Sequence, residues 1–122
     1  MRISEAEAKV MHVLWRRHPL GSDAVIESLL RTSDWQEPTI KTLLNRLLRK
    51  GAIRAEREGR RFLYAPVLRR EDYLLHESQG LLDRLFDGRV APLVAHFSER
   101  RKLTRKDLAE LRKLIEGLDD AR

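Results

Sequence analysis

The sequence predicts a mainly α-helical chain with one small β-hairpin, in the order three helices, hairpin, further helices. Three observations carry this. Apolar residues recur at helical spacing in three successive segments up to Gly51 and again in the stretch beyond Pro66. Between Ala52 and Pro66 the period changes to a loose alternation around Glu58-Gly59. The third helix is apolar on one face only, and its other face carries hydroxyl, amide and cationic groups almost without acids.

The elements follow in order. Ser4 and Glu7 form a capping box, and Val10, Met11, Leu14 and Trp15 supply the apolar stripe behind it. That helix should end before Pro19. Gly21 or Ser22 can cap a second, whose Val25, Ile26, Leu29 and Leu30 again recur at helical spacing. Thr32-Ser33-Asp34-Trp35 reads as a turn, with Trp35 a plug between helices. The third helix runs from Glu37 to Lys50 and is closed by Gly51. Its Ile40, Leu43, Leu44, Leu47 and Leu48 fall within an arc of roughly 140°. Thr39, Lys41, Thr42, Asn45, Arg46, Arg49 and Lys50 fill the rest, with Glu37 the one carboxylate.

A solvated helix face normally interleaves both signs, so this one points to a polyanionic neighbour. Hydroxyl, amide and guanidinium tips are also the groups that reach base edges and phosphates in a major groove. The two short strands, Ala52 to Arg57 and Arg60 to Ala65, enclose a turn at Glu58-Gly59 and place Arg57, Arg60 and Arg61 at the tip. Three helices followed by a basic-tipped hairpin is the order of a winged helix-turn-helix, in which the third helix reads the major groove and the wing touches the backbone. Thr39, Lys41, Thr42, Asn45 and Arg46 are the base-proximal candidates. Arg49, Lys50, Arg57, Arg60 and Arg61 are the phosphate candidates. The alternative use of the same surface is a docking module for an acidic protein partner.

Beyond Pro66, a helix over Glu71 to Asp87 carries Leu81, Leu82, Leu85 and Phe86, and a short apolar segment follows with Val90, Leu93, Val94 and Phe97. Thr104 caps a last helix with Leu108, Leu111, Ile115 and Leu118. So few residues bury too little surface to enclose a robust core alone. The expected resolution is a core shared between two copies, making those side chains the dimerisation set. The expected domains are therefore 1–66 for reading and 67–122 for dimerisation.

Composition sets the outer bounds. The chain has 122 residues, 36% charged and 42% hydrophobic, with 25 Lys+Arg against 19 Asp+Glu and a net charge of +6. The cationic excess favours an anionic partner. Cysteine is absent, which excludes disulfides, thiolate metal sites and a cysteine nucleophile. His12, His18, His76 and His96 lack metal-ligand spacing, so no metal and no cofactor is expected. No apolar run approaches the ~20 residues of a membrane span and no signal peptide opens the chain, so a cytoplasmic protein without membrane insertion is expected. Neither a phosphate loop nor a nucleophile elbow is present, and the enzyme reading has no positive feature behind it.

The chain resembles the BlaI/MecI/CopY family of bacterial repressors. The resemblance rests on Ile3-Ser4-Glu5-Ala6-Glu7 with Val10-Met11 and Leu14-Trp15, then Asp34-Trp35, Thr39-Ile40-Lys41-Thr42-Leu43-Leu44, Arg46-Leu47 and Lys50-Gly51. Leu93-Val94-Ala95-His96-Phe97 and Leu103-Thr104 extend it through the C-terminal half. It implies a dimeric winged-helix repressor of dyad operators, with half-sites often of the TACA/TGTA kind. It also implies, for many relatives, inactivation by proteolysis after a membrane sensor-transducer metalloprotease detects a β-lactam. Three departures stand out. Gln36-Glu37-Pro38 replaces the Ser-Pro-Lys of some relatives and removes a DNA-contacting lysine. The absence of cysteine excludes the copper-sensing motif. The cleaved Asn-Phe bond of some relatives is His96-Phe97 here.

Overall fold

A computed structural model describes residues 1–120. The capping box opens the first helix as the sequence predicts: Ser4 Oγ accepts the Glu7 N–H at 3.1 Å, and Glu7 Oε1 accepts the Ser4 N–H at 2.9 Å. The chain then forms α1 (Glu5–Arg16), β1 (Leu20–Gly21), α2 (Ser22–Thr32), α3 (Glu37–Lys50), β2 (Ile53–Glu58), β3 (Arg61–Pro66), α4 (Arg70–Leu85), α5 (Val90–Glu99) and α6 (Arg105–Asp120). Gly51 ends α3 at a φ of 76°, a left-handed conformation that costs glycine little, and the N–H groups of Gly51 and Ala52 return to the carbonyls of Leu48 and Leu47 at 3.0 Å each.

The predicted stripes meet in one core. Val10, Met11 and Leu14 of α1, Val25 of α2, and Ile40 and Leu47 of α3 are all fully buried, and Ile53 of β2 closes the cluster from the sheet side. Trp35 is a half-buried plug packed on that core, with Lys9 Nζ 5.3 Å from its ring centroid. β1 was not anticipated. Two residues carry no period to detect, yet Leu20 pairs with Tyr64 and Gly21 with Leu63, making an antiparallel three-stranded sheet in the order β1-β3-β2. The hairpin turn also sits one residue later than expected: Glu58 pairs with Arg61, and the loop is Gly59-Arg60, with Gly59 at a φ of 63° as the first residue of a tight loop requires.

The chain divides into two compact units, Met1–Leu74 and a second from Leu75 onward. Val67 to Leu74, expected with the C-terminal region, go with the first unit for identifiable reasons. The N–H groups of Val67 and Leu68 both donate to Ala52 O, at 2.8 and 3.0 Å. Trp15 Nε1 donates to Leu68 O at 2.9 Å, and the Tyr73 ring lies 5.4 Å from the Trp15 ring, centroid to centroid. α4 itself ends two residues before the expected Asp87, because Asp87 and Gly88 both take positive φ and the Gly88 N–H folds back to Leu82 O at 2.8 Å.

In the second unit Leu82 alone among the described residues is buried, while Leu81, Phe86, Leu93, Val94 and Leu111 are half-buried. Leu82, expected in the dimerisation set, is thus already covered within its own chain at 9% exposed. Leu85, Val90, Phe97, Leu108, Ile115 and Leu118 are exposed. Thr104 caps α6 reciprocally with Asp107, each backbone N–H reaching the other's side chain at 3.0 Å. No helix among the described residues is long and apolar enough to cross a membrane.

Candidate nucleic-acid interface

Burial of the α3 stripe fixes which face of that helix is left for solvent. Thr39, Lys41, Thr42, Asn45, Arg46, Arg49 and Lys50 are all exposed, while Ile40, Leu43, Leu44 and Leu47 anchor the opposite side. Pro38 in the first turn suits the start of this helix, where a backbone N–H would go unused anyway. The sequence-predicted residues are therefore brought onto one surface, but their side chains are not equally free.

Lys41 Nζ stands 3.4 Å from Glu37 Oε1, one turn back, with both side chains more than half exposed. Such a pair is worth only a few tenths of a kcal/mol and yields readily to a phosphate. The Thr42 hydroxyl donates to Pro38 O at 2.9 Å, so it faces outward as an acceptor beside a methyl group. Among the described residues no ion pair engages Arg46 or Arg49.

Lys50 is different. Its Nζ lies 2.6 Å from Glu7 Oε1 and 2.8 Å from Arg2 O, two of the three donors an ammonium owns. Glu7 is only 3% exposed, and its Oε2 has no partner. Burial alone pushes the Glu7 carboxyl upward. The bonds from Lys50 and Ser4, together with the ammonium charge, outweigh that and hold it below its ordinary range. Lys50, expected to grip phosphate, here ties the end of α3 to the start of α1 with two of its three donors. Sequence reasoning missed this role because its partner is 43 residues away. The one local signal was an acidic residue at the capping-box position.

The wing arginines divide in a similar way. Arg60 occupies the loop itself and is exposed. Arg57 Nε donates to Gly59 O at 3.2 Å, which braces the turn and leaves the rest of its guanidinium outward. The Arg61 guanidinium carbon stands 3.8 Å from where a Cβ on Gly21 would lie, so Arg61 leans back toward β1 rather than occupying the tip. Arg54 pairs with Glu56 at 3.0 Å along the same strand. His96 and Phe97 lie within the last turns of α5, their rings 5.7 Å apart, with the His96 and Phe97 carbonyls accepting from Arg100 and Lys102. Among the described residues, no group of three or more His, Asp or Glu side chains could hold a metal ion.

Comparison with known proteins identifies the family. The penicillinase repressor family profile matches residues 3–117. The chain is 36% identical over 115 residues to the penicillinase repressor of Bacillus licheniformis, covering 94% of this chain and 90% of that protein. It is 29% identical over 113 residues to the methicillin resistance regulatory protein MecI of Staphylococcus aureus, covering 93% and 92%. Among solved structures, the DNA-binding domain of the repressor BlaI superposes with a TM-score of 0.55 at 43% identity, over 59% of this chain and 88% of that one. Monomeric Bacillus licheniformis BlaI in complex with the blaP half-operator gives a TM-score of 0.55 at 42% identity, over 60% and 89%. The Staphylococcus aureus regulator MepR, at 20% identity and a TM-score of 0.53 over 95% of this chain, shares the fold alone. The chain belongs to the penicillinase repressor family, a family of DNA-binding transcriptional repressors and not of enzymes.

Proposed function

We propose that this protein is a homodimeric transcriptional repressor that binds palindromic operator DNA in the cytoplasm through α3 and the wing. The observation that carries the reading is the outward face of α3. A helix whose other side is locked into a core presents Thr39, Thr42, Asn45, Arg46 and Arg49 together, with one acid at its start. That surface combines base-reading tips with phosphate-binding charge. That the related BlaI is found in complex with the blaP half-operator supports DNA as the partner. Lys41, Arg57 and Arg60 fit phosphate. Lys50 also serves the scaffold, because its ammonium is turned toward α1, and Arg61 lies back toward β1 rather than at the tip.

Two copies joined through the exposed apolar residues of α4, α5 and α6 would present two reading helices to a dyad, so the second half-site is engaged intramolecularly. Induction by a membrane sensor-transducer metalloprotease that cuts His96-Phe97 fits the family resemblance. Phe97 is 41% exposed, and scission would sever α6 from the rest of the dimerisation region. Because the bond sits in a hydrogen-bonded helix, α5 must unwind locally before a protease can take it as an extended strand.

The test is Arg46→Ala. A lost base contact costs ~1–3 kcal/mol and relaxes specificity. The substitution is expected to weaken operator binding while leaving binding to scrambled duplex nearly unchanged, read by fluorescence anisotropy. Equal losses on both duplexes would remove Arg46 from the reading set. Equal affinity of the wild type for both duplexes would favour an acidic protein as the partner.

A further inference from the structure

Charge accounts for the wing arginines but not for the large aromatic between them. Ile53, Tyr64 and Phe62 share one face of the hairpin, because Ile53 pairs with Pro66, Ala55 with Tyr64 and Arg57 with Phe62 in an antiparallel ladder. Along that face burial falls away toward the tip. Ile53 is 2% exposed, Tyr64 is half-buried against the core, and Phe62 is 51% exposed where the helices no longer cover the sheet. Directly across from Phe62 is Arg57, held toward the turn by Gly59 O, and the loop residue Arg60 lies just beyond.

We propose that Phe62 is an apolar contact to duplex DNA, seated on the deoxyribose walls of the minor groove beside the half-site that α3 reads. This rests on the DNA-binding reading above and adds a residue of a different chemical kind to it. The surroundings select the occupant. A hydrophobic protein partner would have to desolvate the guanidiniums of Arg57 and Arg60 together with the ring, at a cost those charges would not recover. The minor groove offers the matching pattern: apolar deoxyribose surface along its walls, base edges in the floor and phosphates along both rims. Proteins use apolar side chains in that groove to probe how easily base steps deform, beside cations that respond to its width. The wing then contributes shape readout as well as charge.

The experiment uses the full-length protein and a duplex that the wild type recovers from a random-sequence pool. Operator affinity is measured by anisotropy across a salt series for the wild type, Phe62→Ala, Phe62→Leu and Arg60→Ala, with thermal melts confirming that the exposed substitutions leave the fold intact. Burying a phenyl ring against sugar predicts a loss of about tenfold for Phe62→Ala with the salt slope unchanged. Phe62→Leu should recover most of it. Arg60→Ala should flatten the slope by about one unit. Wild-type affinity for Phe62→Ala, or a loss accompanied by a changed slope, overturns the minor-groove contact while leaving operator binding intact. Recovery of no sequence from the pool overturns the DNA reading itself, and Phe62 with it.

Discussion

The two units of this chain spend their apolar residues in opposite ways. In Met1–Leu74 most of the predicted apolar stripe is covered: Leu14, Val25 and Leu47 expose nothing, and Leu30 of α2, expected in the stripe, is the exception at 46% exposed. From Leu75 onward the stripes are just as regular, yet Leu85, Leu114 and Leu118 remain 65%, 65% and 61% exposed. Equal patterning with unequal burial means that the second unit lacks a surface that its own chain supplies to the first. The sequence already holds the reason, since some fifty residues in three helices enclose little volume. The reading unit encloses its core within one chain, whereas the second leaves most of its stripes in solvent.

The largest expected effect breaks this comparison at the exposed side. Leu114→Asp alters a residue that the single chain leaves in solvent, so the isolated fold should tolerate it. In a shared core it places an unpaired charge. Sedimentation should show monomer in place of dimer, and operator affinity should fall on the order of 10²- to 10⁴-fold with the loss of bivalent engagement. A variant that still sediments as a dimer would mean that the exposed leucines are not the covered face.

Next comes the buried side. Leu47→Ala should cost about 2–5 kcal/mol, because the removed atoms leave a cavity in a fully enclosed site. The comparison is sharpened by concentration. Unfolding of the first unit should be independent of protein concentration in chemical denaturation. The transition of the second should move to higher denaturant as the protein is concentrated, by mass action. Concentration-independent unfolding of both would equalise the two units.

A smaller and pH-dependent effect probes the tie between α1 and α3. Glu7 has a depressed carboxyl pKa, so its contribution is fully present above the unfolded value of about 4.3 and is lost as pH falls through the folded value. Lys50→Met leaves a buried carboxylate unpaired and should destabilise the reading unit at pH 7 by about 2–3 kcal/mol, less than for a fully buried pair because the lysine is partly solvated. That penalty should shrink on acidification toward pH 5, since without the ammonium, burial favours the protonated acid. Glu7→Gln should cost about 1 kcal/mol and show little of this recovery. Both are read from urea titrations at several pH values.

How legible this was depends on the range of the interaction. The stripe on α3, the Ser4-Glu7 box and the glycine at position 51 are local, and each was read directly from neighbouring residues. The outward face of α3 followed from the same spacing. The bond from Lys50 to Glu7 and that from Trp15 to Leu68 span 43 and 53 residues, and no periodicity encodes them. That is why the bond of a phosphate candidate to Glu7 went unread and why the expected boundary at residue 66 falls short of the division at Leu74. Leu82 and Leu85 sit in one stripe of one helix, and spacing alone could not say that the first is buried and the second exposed. Phe62 was visible as a strand residue, but only the register showed that its face runs past the helices.

The bond from the Trp15 indole to Leu68 O, with Tyr73 laid beside the ring, has a practical consequence for anyone who would transplant this reader onto a foreign dimeriser. A graft joined at residue 66 would strip the indole N–H of its acceptor and leave an aromatic surface bare on α1. A graft joined after Leu74 carries the first turn of α4 along and hands the new partner a helix already under way. The spacing between two transplanted readers would then be set by helical phase, about 100° and 1.5 Å for each residue inserted. Operator spacing becomes a quantity that could be dialled by counting residues.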